Sequence, residues 1–156
     1  DLRMLALGVG PGSFTGLRIA AATFAGMNAS LSLPTLPVSS LAITAAQAAS
    51  DGEVWVLEDA RAGEVFVGHY QNFQSITDDR CDSWASLQKI EPAKCVSVSP
   101  PPEALPGWQQ LERPMTRTKA LAKVVQEALL IVEVDDLPRY VQPAYLQISQ
   151  AERNLK

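Results

Sequence analysis

Histidine and cysteine are scarce in this sequence of 156 residues, and their scarcity narrows the chemistry that the chain can perform. The single histidine, His69, excludes a zinc site built on two histidines. Cys81 and Cys95 lack the Cys-x-x-Cys spacing of redox and zinc motifs, so we expect two free thiols in a reducing compartment. Ser13 could pair with His69 in a catalytic triad, but a lone histidine inside a strand sequence is more typical of a structural role.

Long uninterrupted apolar runs and an excess of positive charge are also lacking. Residues 19–33 carry no charged side chain, yet polar residues and Pro34 interrupt the apolar pattern, so no membrane span is expected. The formal net charge of -4 does not suit autonomous binding of a nucleic acid, which depends on neutralising phosphates. The adjacent acidic pairs at 78–79 and 135–136 would point to opposite faces of a strand, so neither forms a convincing acid–base pair.

A glycine-rich turn at residues 8–12 joins a short apolar segment to a long helix of small residues. We expect Ser13 or Thr15 to cap this helix by accepting a hydrogen bond from a first-turn N–H group. The turn could cradle an anion, but it matches neither the P-loop pattern nor the dinucleotide pattern Gly-x-Gly-x-x-Gly. A phosphate contact and a purely structural turn both stay open, and the second is favoured.

The helix that follows the turn is apolar nearly all round. Gly16, Ala20, Thr23 and Met27 share one face at three- and four-residue spacing, and their small side chains would let another helix approach closely. A helix without a polar stripe is covered on more than one side. Periodicity leaves two interpretations open, a helix buried inside one domain and a helix that docks a partner.

The rest of the chain predicts alternating helices and strands. The aspartate and arginine of the loop at 58–63 could bind a ligand, or the aspartate could accept backbone N–H groups of its own loop, which we favour. The expected elements are an extended link at 33–38, a helix at 41–49 capped by Ser39 or Ser40, strands at 54–57 and 64–70, an acidic turn near 78–82, a short helix at 84–90, a strand at 95–98 and an amphipathic helix capped by Thr116 or Thr118.

Three stretches of the sequence resemble, in order, the motifs of the TsaB family, also called YeaZ. Residues 10–19, Gly-Pro-Gly-Ser-Phe-Thr-Gly-Leu-Arg-Ile, are similar to the family signature. Residues 59–66, Asp-Ala-Arg-Ala-Gly-Glu-Val-Phe, resemble its Asp-Ala-Arg-x-Gly-Glu-Val-Tyr hairpin, and residues 143–146, Pro-Ala-Tyr-Leu, its closing Pro-x-Tyr-Leu-Arg. Gln147 stands where the family usually has arginine. The motif residues without an assigned role are Gly10, Gly12, Asp59, Arg61 and Tyr145.

The resemblance implies an α/β fold of the actin, Hsp70 and acetate and sugar kinase type, with ribonuclease H-like lobes of which the first is incomplete. It implies a cytoplasmic, non-catalytic subunit of the bacterial complex that places threonylcarbamoyl on adenosine 37 of tRNA. The partners would be the catalytic subunit TsaD and the ATPase TsaE, and tRNA would be contacted only indirectly. We expect no cofactor on this chain, because ATP and metal would belong to the partner subunits.

The resemblance also implies that the helix from Ser13 to Met27 docks TsaD, and a homodimer through the same helix is possible. The alternatives left open are a glycoprotease-like peptidase and an inactive truncated homologue. The implied partner face consists of Ser13, Gly16, Ala20, Thr23, Phe24 and Met27.

The expected domain division is a remnant of the first lobe at 1–50, a second lobe at 51–148 and a polar tail at 149–156. The family begins with an Asp-Thr strand, a hairpin and a helix that have no counterpart in this sequence. We therefore expect a truncated clone, a proteolysed product or an incomplete gene prediction. In each case residues 1 to about 45 would expose apolar surface.

Overall fold

The computed structural model describes residues 1–101 and 105–147, which form an α/β fold with two sheets. The polar tail expected at 149–156 lies outside the described residues. The elements are β1 (Leu5–Gly10), α1 (Phe14–Asn28), β2 (Thr35–Ser39), α2 (Ser40–Gln47), β3 (Glu53–Arg61), β4 (Glu64–Gln71), β5 (Gln74–Ser83), α3 (Trp84–Leu87), β6 (Lys94–Val96), β7 (Gln109–Gln110), α4 (Arg117–Ala128) and a short 3-10 helix (Val134–Asp136).

The first sheet pairs β1 with β2 in parallel, in a register that sets Leu5 opposite Thr35. The link at 33–38 is extended as expected, and most of it forms strand β2. Pro37 reads as a strand breaker, since proline has no N–H group to donate. It is tolerated because β2 lies at the edge of its sheet, where a missing donor costs little.

Helix α2 is the centre of the core. Ser39 caps it by accepting hydrogen bonds from the N–H groups of Leu41 and Ala42, and the helix ends at Gln47, two residues earlier than expected. Every residue from Leu41 to Gln47 is buried, because α2 contacts both sheets and α4. The alanines of α2 are therefore needed for close packing on all sides.

The second sheet has the strand order β5-β4-β3-β6-β7. Strands β3, β4 and β5 are antiparallel neighbours, whereas β6 runs parallel to β3. The acidic turn expected near 78–82 is wrong, because these residues belong to β5. Their polarity is that of an edge strand, whose side chains are mostly exposed and whose charges discourage pairing with other chains. The helix expected at 84–90 ends at Leu87.

A hydrogen-bonded cluster joins the second sheet to the cap of α2. The Tyr70 hydroxyl donates to Asp79 Oδ1 at 2.5 Å, and the Ser39 hydroxyl donates to Asp79 Oδ2 at 2.5 Å. Burial, and then the neighbouring carboxylate, raise the pKa of Tyr70 above its ordinary value, so the phenol stays a donor at neutral pH. Asp79 thus ties the edge strand to α2 and explains why an acidic residue lies in β5.

Residues of β3 alternate between two apolar clusters on the two faces of the sheet. Val54, Val56 and Ala60 face α2, whereas Leu57 packs with Trp84 on the opposite side. The same alternation places the Glu58 carboxyl on the α2 side of the sheet. Within the described ranges, no helix has the length and apolar composition needed to cross a bilayer.

Candidate functional site

The three sequence motifs meet around one cleft of about 780 Å³. The turn into α1 forms one wall, the β3–β4 hairpin forms another, and the segment after Pro143 closes a third side. The first residues of α2 and α4 complete the lining. The polar and charged residues that line the cleft are Ser13, Thr15, Ser40, Thr44, Glu58, Asp59, Arg61, Arg117, Tyr145 and Gln147.

Gly10 is required where the first motif meets the third. Its φ is +116°, and a Cβ atom there would lie 2.9 Å from the carbonyl oxygen of Ala144. The Ala144 N–H group donates to the carbonyl oxygen of Val9 at 2.8 Å, so the two segments lie against each other. Glycine at position 10 therefore allows the two segments to approach each other this closely. Gly12 lies on the cleft wall and is not at a positive φ.

The β3–β4 hairpin is held by its own side chains. Asp59 Oδ1 accepts a hydrogen bond from the Arg61 N–H group at 3.0 Å, as we expected of a self-bonded turn. Arg61, Ala62 and Gly63 have φ values of +69°, +52° and +79°, so the chain reverses within three left-handed residues. The Arg61 side chain is 90% exposed and lies 3.9 Å from Asp59 Oδ2. Asp59 thus shapes the turn, while the guanidinium of Arg61 points into solvent at the cleft rim.

The third motif contacts both of the others. The Tyr145 ring lies 5.0 Å from the Phe14 ring, centroid to centroid. The Gln147 amide donates to the carbonyl oxygen of Ala60 at 2.8 Å and also to the Glu64 carboxylate. At the position where the family usually has arginine, glutamine thus keeps a side-chain donor directed at the hairpin.

Glu58 lies in the cleft, and the sequence analysis missed it. Its carboxylate accepts a hydrogen bond from the Val98 N–H group at 2.9 Å. Burial raises the pKa of Glu58 from 4.5 to about 7, although that N–H group and the guanidinium groups of Arg113 and Arg117 oppose the rise. The available signal was its position, since an acidic residue follows two inward-facing valines, Val54 and Val56, in the alternation of β3.

We expect Glu58→Gln to flatten the pH dependence of stability. The folded pKa of Glu58 lies above the unfolded one, so at this site the folded state binds more protons between pH 4.5 and 7, and the contribution of Glu58 to stability falls as the pH rises through this window. Glutamine keeps an acceptor for Val98 but carries no charge. The variant should be the more stable protein at pH 8, by about 1–2 kcal/mol after discounting for solvent screening, and should lose that advantage near pH 5. Urea unfolding at four pH values measures the difference, and a constant offset would contradict the burial of this carboxyl.

The described residues do not bring Ser13 and His69 together. Ser13 caps α1 at the cleft, where its Oγ accepts a hydrogen bond from the Gly16 N–H group at 3.4 Å. His69 lies on the opposite face of the second sheet, stacked on Trp55 with ring centroids 4.1 Å apart, and its Nε2 lies 3.2 Å from Glu53 Oε2. The nucleophile–base pair that the sequence offered is therefore not assembled.

Metal ligation and cysteine chemistry add no further site to the cleft. In residues 1–101 and 105–147, no group of three or more histidine, cysteine, aspartate or glutamate side chains could hold a metal ion. Cys81 is half-buried and Cys95 is buried, and both are thiols. Burial raises the pKa of Cys95, which makes its thiol less reactive.

Helix α1 presents most of its surface to solvent. Its inner side rests on β1 and is half-buried at Leu17, Ala21 and Phe24, whereas Ile19 and Met27 are each 62% exposed. Within the described residues, α1 is therefore not covered on its outer side. Of the implied partner face, Ser13, Gly16, Thr23 and Met27 are exposed, and Ala20 and Phe24 are half-buried. The exposed face also includes Ile19, which was not part of the implied partner face.

Comparisons with known proteins agree with the three motifs. A family model described as TsaD, tRNA N6-adenosine threonylcarbamoyltransferase, matches residues 1–143. The tRNA threonylcarbamoyladenosine biosynthesis protein TsaB of Buchnera aphidicola subsp. Schizaphis graminum is 31% identical over 96 residues, which are 58% of this chain and 46% of that protein. TsaB of Escherichia coli strain K12 is 45% identical over 75 residues, 46% of this chain and 32% of that protein. This chain thus spans less than half the length of these curated relatives.

Solved structures share the fold. A Pseudomonas aeruginosa protein, described as uncharacterised with similarity to peptidase YeaZ, matches with a TM-score of 0.66 and 25% identity over 94% of this chain and 74% of that chain. YeaZ from the same organism matches with a TM-score of 0.66 and 24% identity over 92% and 75%. The α/β fold of the actin, Hsp70 and acetate and sugar kinase type is thereby confirmed.

Proposed function

Because this chain belongs to the tRNA N6-adenosine threonylcarbamoyltransferase family, as a member of its TsaB/YeaZ group, we propose that it is a non-catalytic subunit of the complex that forms N6-threonylcarbamoyladenosine at position 37 of tRNA. Its task in that complex is to bind TsaD through α1 and so enable the catalytic subunit. TsaE joins the pair, and tRNA is contacted through the partners.

The exposed face of α1 carries this proposal. Ile19 and Met27 are large apolar residues and are each 62% exposed, on a helix that has no charged residue after Arg18. Exposed apolar surface of this kind is typical of protein–protein interfaces. Thr23 and Gly26 lie between them and are small enough to let a partner helix approach closely. From the resemblance to TsaB we infer that TsaD is the partner for this face.

The side chains of the cleft favour a non-catalytic role for this chain. The Asp59 carboxylate is engaged by the turn that it shapes, and Ser13 by the cap of α1, while His69 lies on the far side of the sheet. The formal net charge of -4 favours tRNA contact through a partner. The peptidase alternative keeps one support, the description of a structural neighbour as similar to a peptidase. Peptide hydrolysis that persists through purification and disappears in Ser13→Ala would favour that alternative.

The proposal includes a division of the chain into two lobes. We assign residues 1–50 to the first lobe and residues 51–148 to the second, with the boundary in the short connection between α2 and β3. The contacts of α2 with both sheets hold the two parts together.

Co-elution of this chain with TsaD, measured by size exclusion with light scattering, tests the proposed function. A 1:1 complex that TsaE then enlarges is the expected result. A chain that remains separate from TsaD at micromolar concentration would overturn the proposal. If the chain self-associates and added TsaD does not disrupt this self-association, the result would instead favour a homodimer through α1.

Gly26→Ala should change stability and partner affinity in opposite directions. A Cβ atom at Gly26 meets no atom within 4 Å, so alanine fits and gains the helix propensity that glycine lacks, about 0.5–1 kcal/mol. The same methyl group occupies the space that a closely packed partner helix would use. We expect a higher melting temperature together with a weaker complex with TsaD. Equal affinity of the two proteins would place the helix crossing elsewhere on α1.

A further inference from the structure

Residues 144–147 form a bridge between three elements that are distant in sequence. Ala144 donates its N–H group to the carbonyl oxygen of Val9 in β1 at 2.8 Å. Tyr145 places its ring 5.0 Å from Phe14, the first residue of α1. Gln147 donates to the carbonyl oxygen of Ala60 at 2.8 Å. Four consecutive residues therefore connect β1, the first turn of α1 and the β3–β4 hairpin.

The segment that leads into the bridge holds the other end of α1. Asn28, the last residue of the helix, is 3% exposed and donates its side-chain amide to the carbonyl oxygen of Arg139 at 3.0 Å. The Arg139 guanidinium in turn donates to the carbonyl oxygen of Ser32. The Thr35 N–H group donates to the carbonyl oxygen of Pro138 at 2.8 Å, so β2 is fixed to the same segment. Both ends of α1 are thus anchored by one stretch of the chain.

The first turn of α1 is largely exposed to solvent. Its residues are exposed from Ser13 to Gly16, and Phe14 is 39% exposed. The Phe14 ring contacts Tyr145 and also the Arg18 guanidinium, whose Cζ atom lies 4.1 Å from the ring centroid. Since Arg18 belongs to α1 itself, Tyr145 supplies the aromatic contact that joins Phe14 to another part of the chain.

We propose that Tyr145 and Gln147 are positioning residues that fix the first turn of α1 to the β3–β4 hairpin. This proposal rests on the proposed function insofar as α1 is the docking helix. The bridge holds the docking face of α1 in one orientation. It also couples the local stability of the hairpin to that of the first turn of α1, because the same four residues contact both. A partner seated on α1 accordingly tightens the hairpin and the cleft rim.

Amide hydrogen exchange of the free chain tests the bridge without a partner. Removal of one aromatic contact corresponds to a two- to tenfold change in a local equilibrium. In Tyr145→Ala the amides of Gly16 and Leu17 should therefore exchange two- to tenfold faster than in wild type. Tyr145→Phe keeps the ring and should match wild type. Equal protection of these amides in both variants would overturn the role of Tyr145.

The coupling between the two ends is tested at Gln147. Gln147→Ala should speed exchange in the hairpin amides of residues 60–64 and also in the first turn of α1. Gln147→Arg keeps a donor directed at Ala60 and Glu64, and should restore both. Faster exchange confined to the hairpin would show two separate local contacts and would overturn the proposed bridge.

Affinity for TsaD then separates the bridge from the docking function. If wild type binds TsaD, Tyr145→Ala should bind two- to tenfold more weakly, and Tyr145→Phe should bind as wild type does. Unchanged affinity beside faster exchange would overturn the positioning role for docking. If wild type does not bind TsaD, the proposed function fails, while the exchange experiment still decides whether the bridge exists.

Discussion

Gly68→Ala is expected to lower the free energy of unfolding by about 3–5 kcal/mol, a large part of the stability of a small protein. Gly68 pairs with Val56 in the middle of the second sheet. A Cβ atom there would lie 2.5 Å from Cε2 of Tyr70, 2.8 Å from Oδ1 of Asp79 and 3.2 Å from Cβ of Leu41. The methyl group would displace the Tyr70 ring and separate its hydroxyl from Asp79. The cost combines overpacking with a buried hydrogen bond left unmade.

Urea unfolding followed by circular dichroism measures this loss. Gly26→Ala is the matched control, because it adds the same methyl group in open space and should stabilise the protein slightly. A loss below about 1 kcal/mol in Gly68→Ala would mean that the sheet and α2 can separate to admit a methyl group. The contact between the two sheets through α2 would then be looser than these distances indicate.

Thr23→Arg is expected to weaken the complex with TsaD by about 100-fold or more, which corresponds to about 3 kcal/mol. Thr23 is exposed on the outer face of α1, in the stretch between Ile19 and Met27. An arginine at a close helix crossing would keep the two backbones apart, or would bury its charge without a partner. The fold should survive, because the side chain points away from β1.

Titration calorimetry against TsaD measures the loss, and circular dichroism checks the fold. Gln126→Arg is the charge-matched control, since Gln126 is an exposed residue of α4 and lies away from α1. Equal affinity of wild type and Thr23→Arg would move the docking surface off this face. An unfolded Thr23→Arg would contradict the exposed position of Thr23 on α1.

Local signals in the sequence were sufficient for the helix starts. Ser13, Ser39 and Thr116 were each among the expected caps, and each accepts a hydrogen bond from a first-turn N–H group. The hairpin turn was equally local, since Asp59 bonds to the N–H group two residues along and Gly63 supplies a positive φ. Such contacts span two or three residues, so the sequence alone determines them.

The sequence failed where a strand or a charge depends on a distant neighbour. Strand β5 resembles an acidic turn until Ser39 and Tyr70, which are 40 and nine positions away, are seen to bond to Asp79. The sequence did not indicate Glu58 as a site residue, because its raised pKa comes from burial that arises only when distant segments pack together. The close approach that requires glycine at position 10 is made by Ala144, a residue distant in sequence.

By itself the sequence determined the family, through three motifs, and the local turns and caps that each motif contains. Only the tertiary structure decided that the motifs surround one cleft, that α2 is fully packed while α1 keeps an exposed face, and that residues 144–147 bridge the helix to the hairpin. The physical reason is the range of the interactions. Caps and turns are completed within a few residues, whereas burial, a shared cleft and a docking face arise only when distant segments pack together.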